Sequence, residues 1–431
     1  MKKQKVNIVT LGCSKNTVDS EHLMSQLSGN GFEVIHDSND TSVKIVVINT
    51  CGFIADAKEE SINAILSFAH AKEQGLIKHL FILGCLAERY KKDLQAEIPE
   101  VDEFFGVNNL ADVLKAVGGA YRENLIGERV LTTPNHYAYL KISEGCNWGC
   151  SYCAIPLIRG KHVSVPIEQL VDEAKLLADK GVKELLVIAQ DTTYYGLDIY
   201  KKRRLANLLE KLSLINGIEW IRLHYAYPTN FPDDLFSAIR DNDKICKYLD
   251  MPFQHISNKV LKNMRRGINK SETYSLIKKL REQIPGIAIR TTLLVGHPGE
   301  GKQEFEELKQ FVTDVRFERL GVFPYSEEEN TYSAQQFKDS LSGKIKQQRA
   351  DEIMKLQNTI SLQLNESRVG ECCKIIIDRE EGDYLVGRTE FDSPEIDQEV
   401  LVKKVSSIKS GDFVSVKITE VDDYDLYGIS I

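Results

Sequence analysis

Gly145–Cys153 reads GCNWGCSYC, and its three cysteines, Cys146, Cys150 and Cys153, stand in a C-x3-C-x2-C spacing on one short stretch. Three thiolates this close suit a cubic iron–sulfur cluster, whose irons take one cysteine each. The missing fourth ligand leaves one iron open for chemistry. A structural zinc knot asks instead for four ligands, commonly in two separated pairs. No second pair lies nearby, and Cys246 is far along the chain. The stretch therefore predicts an iron–sulfur loop.

The surroundings of the loop predict its scaffold. YLKISEG reads as a strand running into the cysteines, and Pro166 opens a helix, IEQLVDEAKLLADK, that Gly181 closes. ELLVIAQ, IEWIRLHYA, YLDMPFQH, IAIRTTLLVG and RLGVFPYS follow as strands, separated by helical patterns such as RLANLLEKLSLI, NKVLKNMRR, ETYSLIKKLREQ and KQEFEELKQFV. Six repeated βα crossovers close only part of an eight-stranded barrel and leave a lateral opening. Function in such barrels sits at the carboxyl-terminal mouth, where the cysteine loop falls.

Upstream, residues 1–133 alternate strands and helices as an α/β layered domain with a mainly parallel sheet. Cys13 in VTLGCSKN, Cys51 in VINTCGF and Cys85 in FILGCLAERY each follow an apolar run that reads as a buried parallel strand. Ligands bind at the carboxyl ends of strands in open α/β sheets, so these cysteines can converge on a second cluster with one open iron. The bland alternative is three core cysteines, since free Cys is among the most buried residues. Cys246, Cys372 and Cys373 have no comparable context and are assigned to packing.

After a helical stretch near 343–366, residues 366–431 alternate apolar and polar positions between turn signals, predicting a small antiparallel β-barrel. Domains are thus expected at 1–133, 134–365 and 366–431. The last holds sixteen Asp and Glu against eight Lys and Arg, a net of −8, while the first sums to −4 and the middle to +4. A nucleic-acid-binding barrel should be basic, because phosphate neutralisation carries most of its affinity. This one is expected to avoid direct RNA binding and to suit a basic protein. An acidic surface that only maintains solubility is the plainer alternative.

The 431 residues contain no apolar run of about 18 residues, and KKQKVNIVTLGC enters a strand without a cleavable leader, so neither a membrane nor an export role is expected. Nine cysteines arranged around two triads fit a reducing cytoplasm better than a disulfide framework, and oxygen sensitivity follows.

Together, the C-x3-C-x2-C loop, the three amino-terminal cysteines and the carboxyl-terminal β-barrel resemble the methylthiotransferase family of the radical S-adenosylmethionine superfamily, whose third part is the TRAM domain. The likeness spans essentially the whole chain. LGCSKNTVDSE, NTCGFI, SEGCNWGCSYCAIPLIRGKHVS, AQDTTYYG and DMPFQHIS resemble the branch that modifies an aspartate of small-subunit ribosomal protein twelve; the transfer RNA adenosine branch typically reads GCQMN at the first cysteine, where SKN follows here.

The resemblance implies two 4Fe-4S clusters. On Cys146, Cys150 and Cys153, S-adenosyl-L-methionine is split to a 5'-deoxyadenosyl radical that takes hydrogen from the substrate β-carbon. Sulfur on the Cys13, Cys51 and Cys85 cluster captures the carbon radical, and a second S-adenosylmethionine supplies the methyl group. An electron donor such as flavodoxin or ferredoxin and ribosomal protein twelve, free or in the ribosome, are the implied partners. It also points to Tyr152 near the adenine and to Gln190 and Asp191 at the cofactor amino group, although AQD departs from the GGE of many relatives. Gly296 would let backbone approach the adenine or ribose, against a tight turn before Pro298. Arg222 and His224, alternating on the third barrel strand, are expected chiefly as satisfied core polar residues.

Overall fold

Five parallel strands stand at the start of the chain, the longer ones on apolar runs: β1 (Lys5–Thr10), β2 (Glu33–His36), β3 (Ile45–Thr50), β4 (His79–Gly84) and β5 (Glu103–Phe104). Their order is β2-β1-β3-β4-β5. Every residue of β3 is buried, as a central parallel strand requires. On one face Val6, Ile8 and Val47 pack against Leu23, Met24 and Leu27 of the helix Ser14–Gly29. On the other, Val46, Ile48 and Ile82 meet Ile65 and Ala69 of the helix Ala55–Glu73. The sequence does not announce β2, whose four residues lie partly exposed at the sheet edge.

This computed structural model describes residues 3–38 and 43–431. The chain divides into two compact units. The first comprises the residues through Thr133 with Tyr139–Trp148 and Cys153–Leu176; the second comprises Pro134–Ala138, Gly149–Tyr152 and Leu177–Ile431. β6 (Tyr137–Lys141) begins in the second unit. In the first, β7 (Ser143–Glu144) pairs antiparallel with β8 (Val163–Ser164), clamping the two ends of the segment that carries Cys146 and Cys153.

The second unit adds β9 (Glu184–Ile188), β10 (Trp220–Leu223), β11 (Ile245–Asp250), β12 (Ala288–Val295) and β13 (Arg319–Pro324). The six-stranded sheet runs β13-β12-β11-β10-β9-β6 with parallel pairings, ends on two edges and is the open partial barrel anticipated from the βα repeats. A seven-residue helix, Asp234–Arg240, is an additional crossover element.

The carboxyl-terminal strands β14 (Cys372–Glu381), β15 (Tyr384–Thr389), β16 (Val400–Lys403), β17 (Phe413–Val421) and β18 (Leu426–Ser430) close a barrel in the order β14-β15-β16-β18-β17. The expected antiparallel barrel contains one parallel pair, β16 with β18. These two strands run the same way because β17 intervenes between them in the chain. Ile375, Ile377, Leu385, Val400, Val402, Val416, Ile418 and Leu426 fill its interior.

The small barrel covers the amino-terminal end of the open sheet. Trp220, Cys246, Tyr248 and Ala288 pack against Ile376, and the Trp220 and Phe413 rings meet edge-on at 4.9 Å. Glu184, the first residue of β9, is fully buried and accepts bonds from Arg222 Nε at 2.7 Å and Arg388 Nη2 at 2.8 Å. Arg290 and Arg319, at the starts of β12 and β13, donate to Asp397 at 3.2 Å and Asp392 at 2.8 Å.

Arg222 therefore faces the base, where it also donates to Glu390 O at 2.6 Å, and His224 Nε2 lies 3.1 Å from Ser393 Oγ. Both are the satisfied core polar residues of the plainer reading. Cys246 is core and Cys373 packs partly buried, but Cys372 is exposed and is not a packing residue. The acidic balance is also redistributed. Asp378, Asp392 and Asp397 are bound to internal partners, so the outward acidity of the barrel rests on other carboxylates.

Candidate iron–sulfur site

Cys13, Cys51 and Cys85 each follow closely on β1, β3 or β4, three neighbouring parallel strands whose register pairs Thr10 with Asn49 and Thr50 with Gly84. That register brings the three thiols to one edge of the first unit. Cys13 caps the helix Ser14–Gly29, and Cys85 opens the helix Cys85–Glu97, so two of them lie at the positive ends of helix dipoles. Gly12 has φ +96°, and a Cβ there would stand 2.6 Å from Cys51 Cβ, so only glycine lets these loops close.

Asn16 organises the triad. Fully buried, it donates from Nδ2 to Leu11 O at 2.8 Å and Thr50 O at 3.1 Å, accepts from Arg159 Nη2 at 2.6 Å, and places Oδ1 4.0 Å from Cys85 Sγ. Ser61 Oγ accepts from Cys51 N at 3.0 Å and donates to Cys51 O at 3.1 Å. Burial pushes the Cys51 thiol up and the Cys85 thiol up to about 11, with Arg159 pulling both the other way. Thiols so placed ionise only beside strong positive charge, and the irons of a cluster supply it. Among the described residues, no three His, Cys, Asp or Glu side chains converge as a single metal ion requires. Three thiols on one edge are a donor set that one cysteine per iron of a cluster would use, whereas a zinc knot asks for a fourth ligand.

The second triad is divided between the units, Cys146 and Cys153 in the first and Cys150 in the second. In the first, Cys146 N donates to Gly160 O at 3.1 Å, and Cys153 leads into Ala154 and Ile158, which pack on Cys85. In the second, Cys150 Sγ lies 3.4 Å from Tyr227 Oη and 3.5 Å from Arg266 Nη1. Arg266 stands 4.1 Å over the Tyr227 ring and donates to Pro252 O at 2.6 Å. Burial opposes the Arg266 charge, but Tyr152, Tyr227 and Cys150 more than compensate and raise its pKa. A fixed cation and a phenol whose pKa burial raises thus both stand beside Cys150.

Ser151 pins this loop: its N donates to Met264 O at 2.9 Å, its O accepts from Ser333 N at 2.7 Å, and Ser333 Oγ lies 2.9 Å from His297 Nε2. Tyr152, half-buried, meets His297 edge-on at 6.1 Å. Gln190 is half-buried at the end of β9. Asp191 Oδ1 accepts from Thr193 N at 2.8 Å, Thr193 Oγ1 at 2.7 Å and Tyr227 N at 3.3 Å, which makes it the brace of the Tyr227 loop.

Gly296, at φ +80°, donates to Glu300 Oε2 at 2.9 Å, and a Cβ there would lie 2.4 Å from Lys346 Cγ. The space beside it belongs to the Lys346 stem as well as to the turn before Pro298. Asn16, Ser61, Arg159, Tyr227, Arg266 and His297 were not singled out by motif. For Asn16 a signal existed, a short polar side chain in SKN on the buried face of a helix.

Comparison with known proteins bears on the whole chain. Residues 140–312 match the radical SAM superfamily, residues 5–106 an uncharacterized protein family, UPF0004, and residues 369–431 the TRAM domain. The chain is 56% identical over 428 residues to the ribosomal protein uS12 methylthiotransferase RimO of Phocaeicola vulgatus, covering 99% of both chains. It is equally 56% identical to the proteins of that name from Bacteroides thetaiotaomicron and Flavobacterium johnsoniae, with 99% of this chain and 98% of each relative covered. Among solved structures, the methyltransferase TsrM from Kitasatospora setae, with cobalamin and a [4Fe-4S] cluster bound, aligns at TM-score 0.57 and 15% identity, covering 77% of this chain and 74% of its own. The cobalamin-dependent enzyme OxsB aligns at 0.54 and 13%, covering 83% and 58%. Both are likenesses of fold.

Proposed function

The chain belongs to the ribosomal protein uS12 methylthiotransferase family, and on that premise we propose that it inserts a methylthio group at the β-carbon of an aspartate of uS12. It is a radical S-adenosylmethionine transferase that uses an iron–sulfur cluster and S-adenosylmethionine. Cys146, Cys150 and Cys153 hold the cluster that receives S-adenosylmethionine, and Cys13, Cys51 and Cys85 hold a second 4Fe-4S cluster. When bound, these groups supply the hydrogen-abstracting radical and the sulfur that no amino-acid side chain provides.

The protein's own side chains supply position and charge. Arg266 and Tyr227 orient Cys150, Asp191 fixes the loop that carries Tyr227, and the Ser151–Ser333 pairing holds Tyr152 at the mouth. Tyr152, Gln190, Asp191 and the Gly296 turn are the contacts assigned to S-adenosylmethionine. The segments 1–133, 134–365 and 366–431 divide the work into sulfur donation, radical generation and substrate contact. A flavodoxin or ferredoxin is the assigned electron donor. Among the described residues no helix is long and apolar enough to cross a membrane.

What carries this function is the convergence of Cys13, Cys51 and Cys85 on one sheet edge, in a chain 56% identical throughout to relatives named for uS12. The test is anaerobic reconstitution with iron and sulfide, incubation with S-adenosylmethionine, a reductant and either uS12 or transfer RNA, and mass spectrometry of both. One methylthio group on a uS12 aspartate is expected. Modification of an adenosine instead would replace this assignment by the transfer RNA one.

Docking supplies a further prediction. Glu380, Glu381 and Asp383 at the β14–β15 turn are exposed, and Asp423 at the β17–β18 turn is half-exposed. Reversing these four to Lys should slow uS12 association about tenfold at low salt and flatten its salt dependence, as steering requires. Uncoupled S-adenosylmethionine cleavage should stay unchanged. Asp378 does not belong in this set, because the buried His136 Nε2 at 2.7 Å and Arg388 Nε at 2.6 Å hold its carboxylate inward, whereas Glu380 and Glu381 pair at the surface with Lys404 and Arg379.

A further inference from the structure

Each cysteine site has a buried arginine beside it, and Arg159 has no part in the function derived above. It follows the helix Ile155–Ile158 in the first unit and is 4% exposed. Nη2 donates to Asn16 Oδ1 at 2.6 Å, the atom that lies 4.0 Å from Cys85 Sγ. Nη1 donates to Glu144 Oε2 at 2.8 Å and reaches Asp19 Oδ2 at 3.5 Å. Ala154 and Ile158, from the same turn, pack directly on Cys85.

Lys141 contacts the same two carboxylates, so pairing with Glu144 and Asp19 is shared and does not set Arg159 apart. Of the two cations, the arginine is the one whose side chain also reaches the triad, through Asn16. Its charge acts on Cys13, Cys51 and Cys85 alike. A guanidinium does not lose its proton, so that charge is constant.

We propose that Arg159 is a positioning residue of the second cluster, granted that the Cys13, Cys51 and Cys85 triad holds one: aimed by Asn16, it retains an anionic sulfur ligand, hydrosulfide or methanethiolate, on the open iron and makes the cluster easier to reduce. Both effects have one cause. A fixed positive charge in a poorly solvated site stabilises added negative charge, whether it arrives as a ligand or as an electron.

The test uses the full chain with Cys146, Cys150 and Cys153 replaced by Ala, which carries the second cluster alone, and compares it with Arg159→Gln, Arg159→Lys and Asn16→Asp in that background. Iron content, reduction potential by EPR-monitored titration and methanethiolate affinity by the same signal are measured. About four irons are expected in the parent. Arg159→Gln should bind methanethiolate about tenfold or more weakly and be reduced at lower potential, with Arg159→Lys recovering most of both.

Asn16→Asp leaves Arg159 in place but pairs its charge, and should weaken binding in the same direction. This second variant decides the matter if Arg159→Gln does not load iron. An iron-free parent would sink the second cluster itself. A loaded parent with methanethiolate affinity and potential unchanged in the substituted chains would sink the role of Arg159 and leave the cluster standing.

Discussion

Replacing Cys146, Cys150 and Cys153 by Ala abolishes cleavage of S-adenosylmethionine to 5'-deoxyadenosine, whereas replacing Cys13, Cys51 and Cys85 spares cleavage and stops methylthio insertion. The expected loss in each case is complete, because a radical cannot be generated without the reducible cluster, nor a carbon–sulfur bond made without the sulfur. Cys13, Cys51 and Cys85 all lie in the first unit, just beyond three adjacent strands, so their cluster should survive loss of the other triad. Iron analysis should accordingly fall from about eight to about four irons in either variant. 5'-Deoxyadenosine is quantified by chromatography, and modified uS12 by mass. Equal cleavage by the two variants would show that the radical cluster has been assigned to the wrong triad.

The triads were legible because their signal is local: C-x3-C-x2-C is a spacing, and three cysteines at the ends of apolar runs become neighbours once the runs are parallel strands. The residues that shape their surroundings were not legible. Arg159 and Arg266 read as ordinary surface cations by the usual exposure of arginine. Their burial depends on Asn16 and Cys150, more than a hundred residues away in each case. β2 and the helix Asp234–Arg240 escaped because four and seven residues are too short to display a period. The net charge of −8 in residues 366–431 is a count without a placement. A charge count does not reveal that Asp378, Asp392 and Asp397 point inward. That inward set bears on what the small barrel is for.

Arg388→Met should destabilise the second unit by about 3–5 kcal/mol, read as a lower midpoint of denaturant unfolding. Arg388 comes from the small barrel and is 1% exposed, donating to Glu184 Oε2 at 2.8 Å and Asp378 Oδ1 at 2.9 Å. Its loss leaves the buried carboxylates of Glu184 and Asp378 sharing one cation fewer, with Arg222 still on Glu184 and His136 on Asp378, and breaking a buried pair costs far more than breaking an exposed one. The effect should depend on pH. Burial opposes the Glu184 charge, but Arg388 and Arg222 outweigh it and hold its pKa below the usual value. The stabilisation is therefore present above about pH 4.3, the ordinary glutamate value, and is lost as pH falls through the lower folded pKa. The gap between Arg388→Met and the parent should narrow on acidification as Glu184 protonates. A parent-like midpoint for Arg388→Met would mean that the network does not join barrel to sheet. If the loss is as large as expected, residues 366–431 act as the floor of the radical fold. Removing them would then uncover Glu184, Trp220 and Tyr248 and end S-adenosylmethionine cleavage by unfolding.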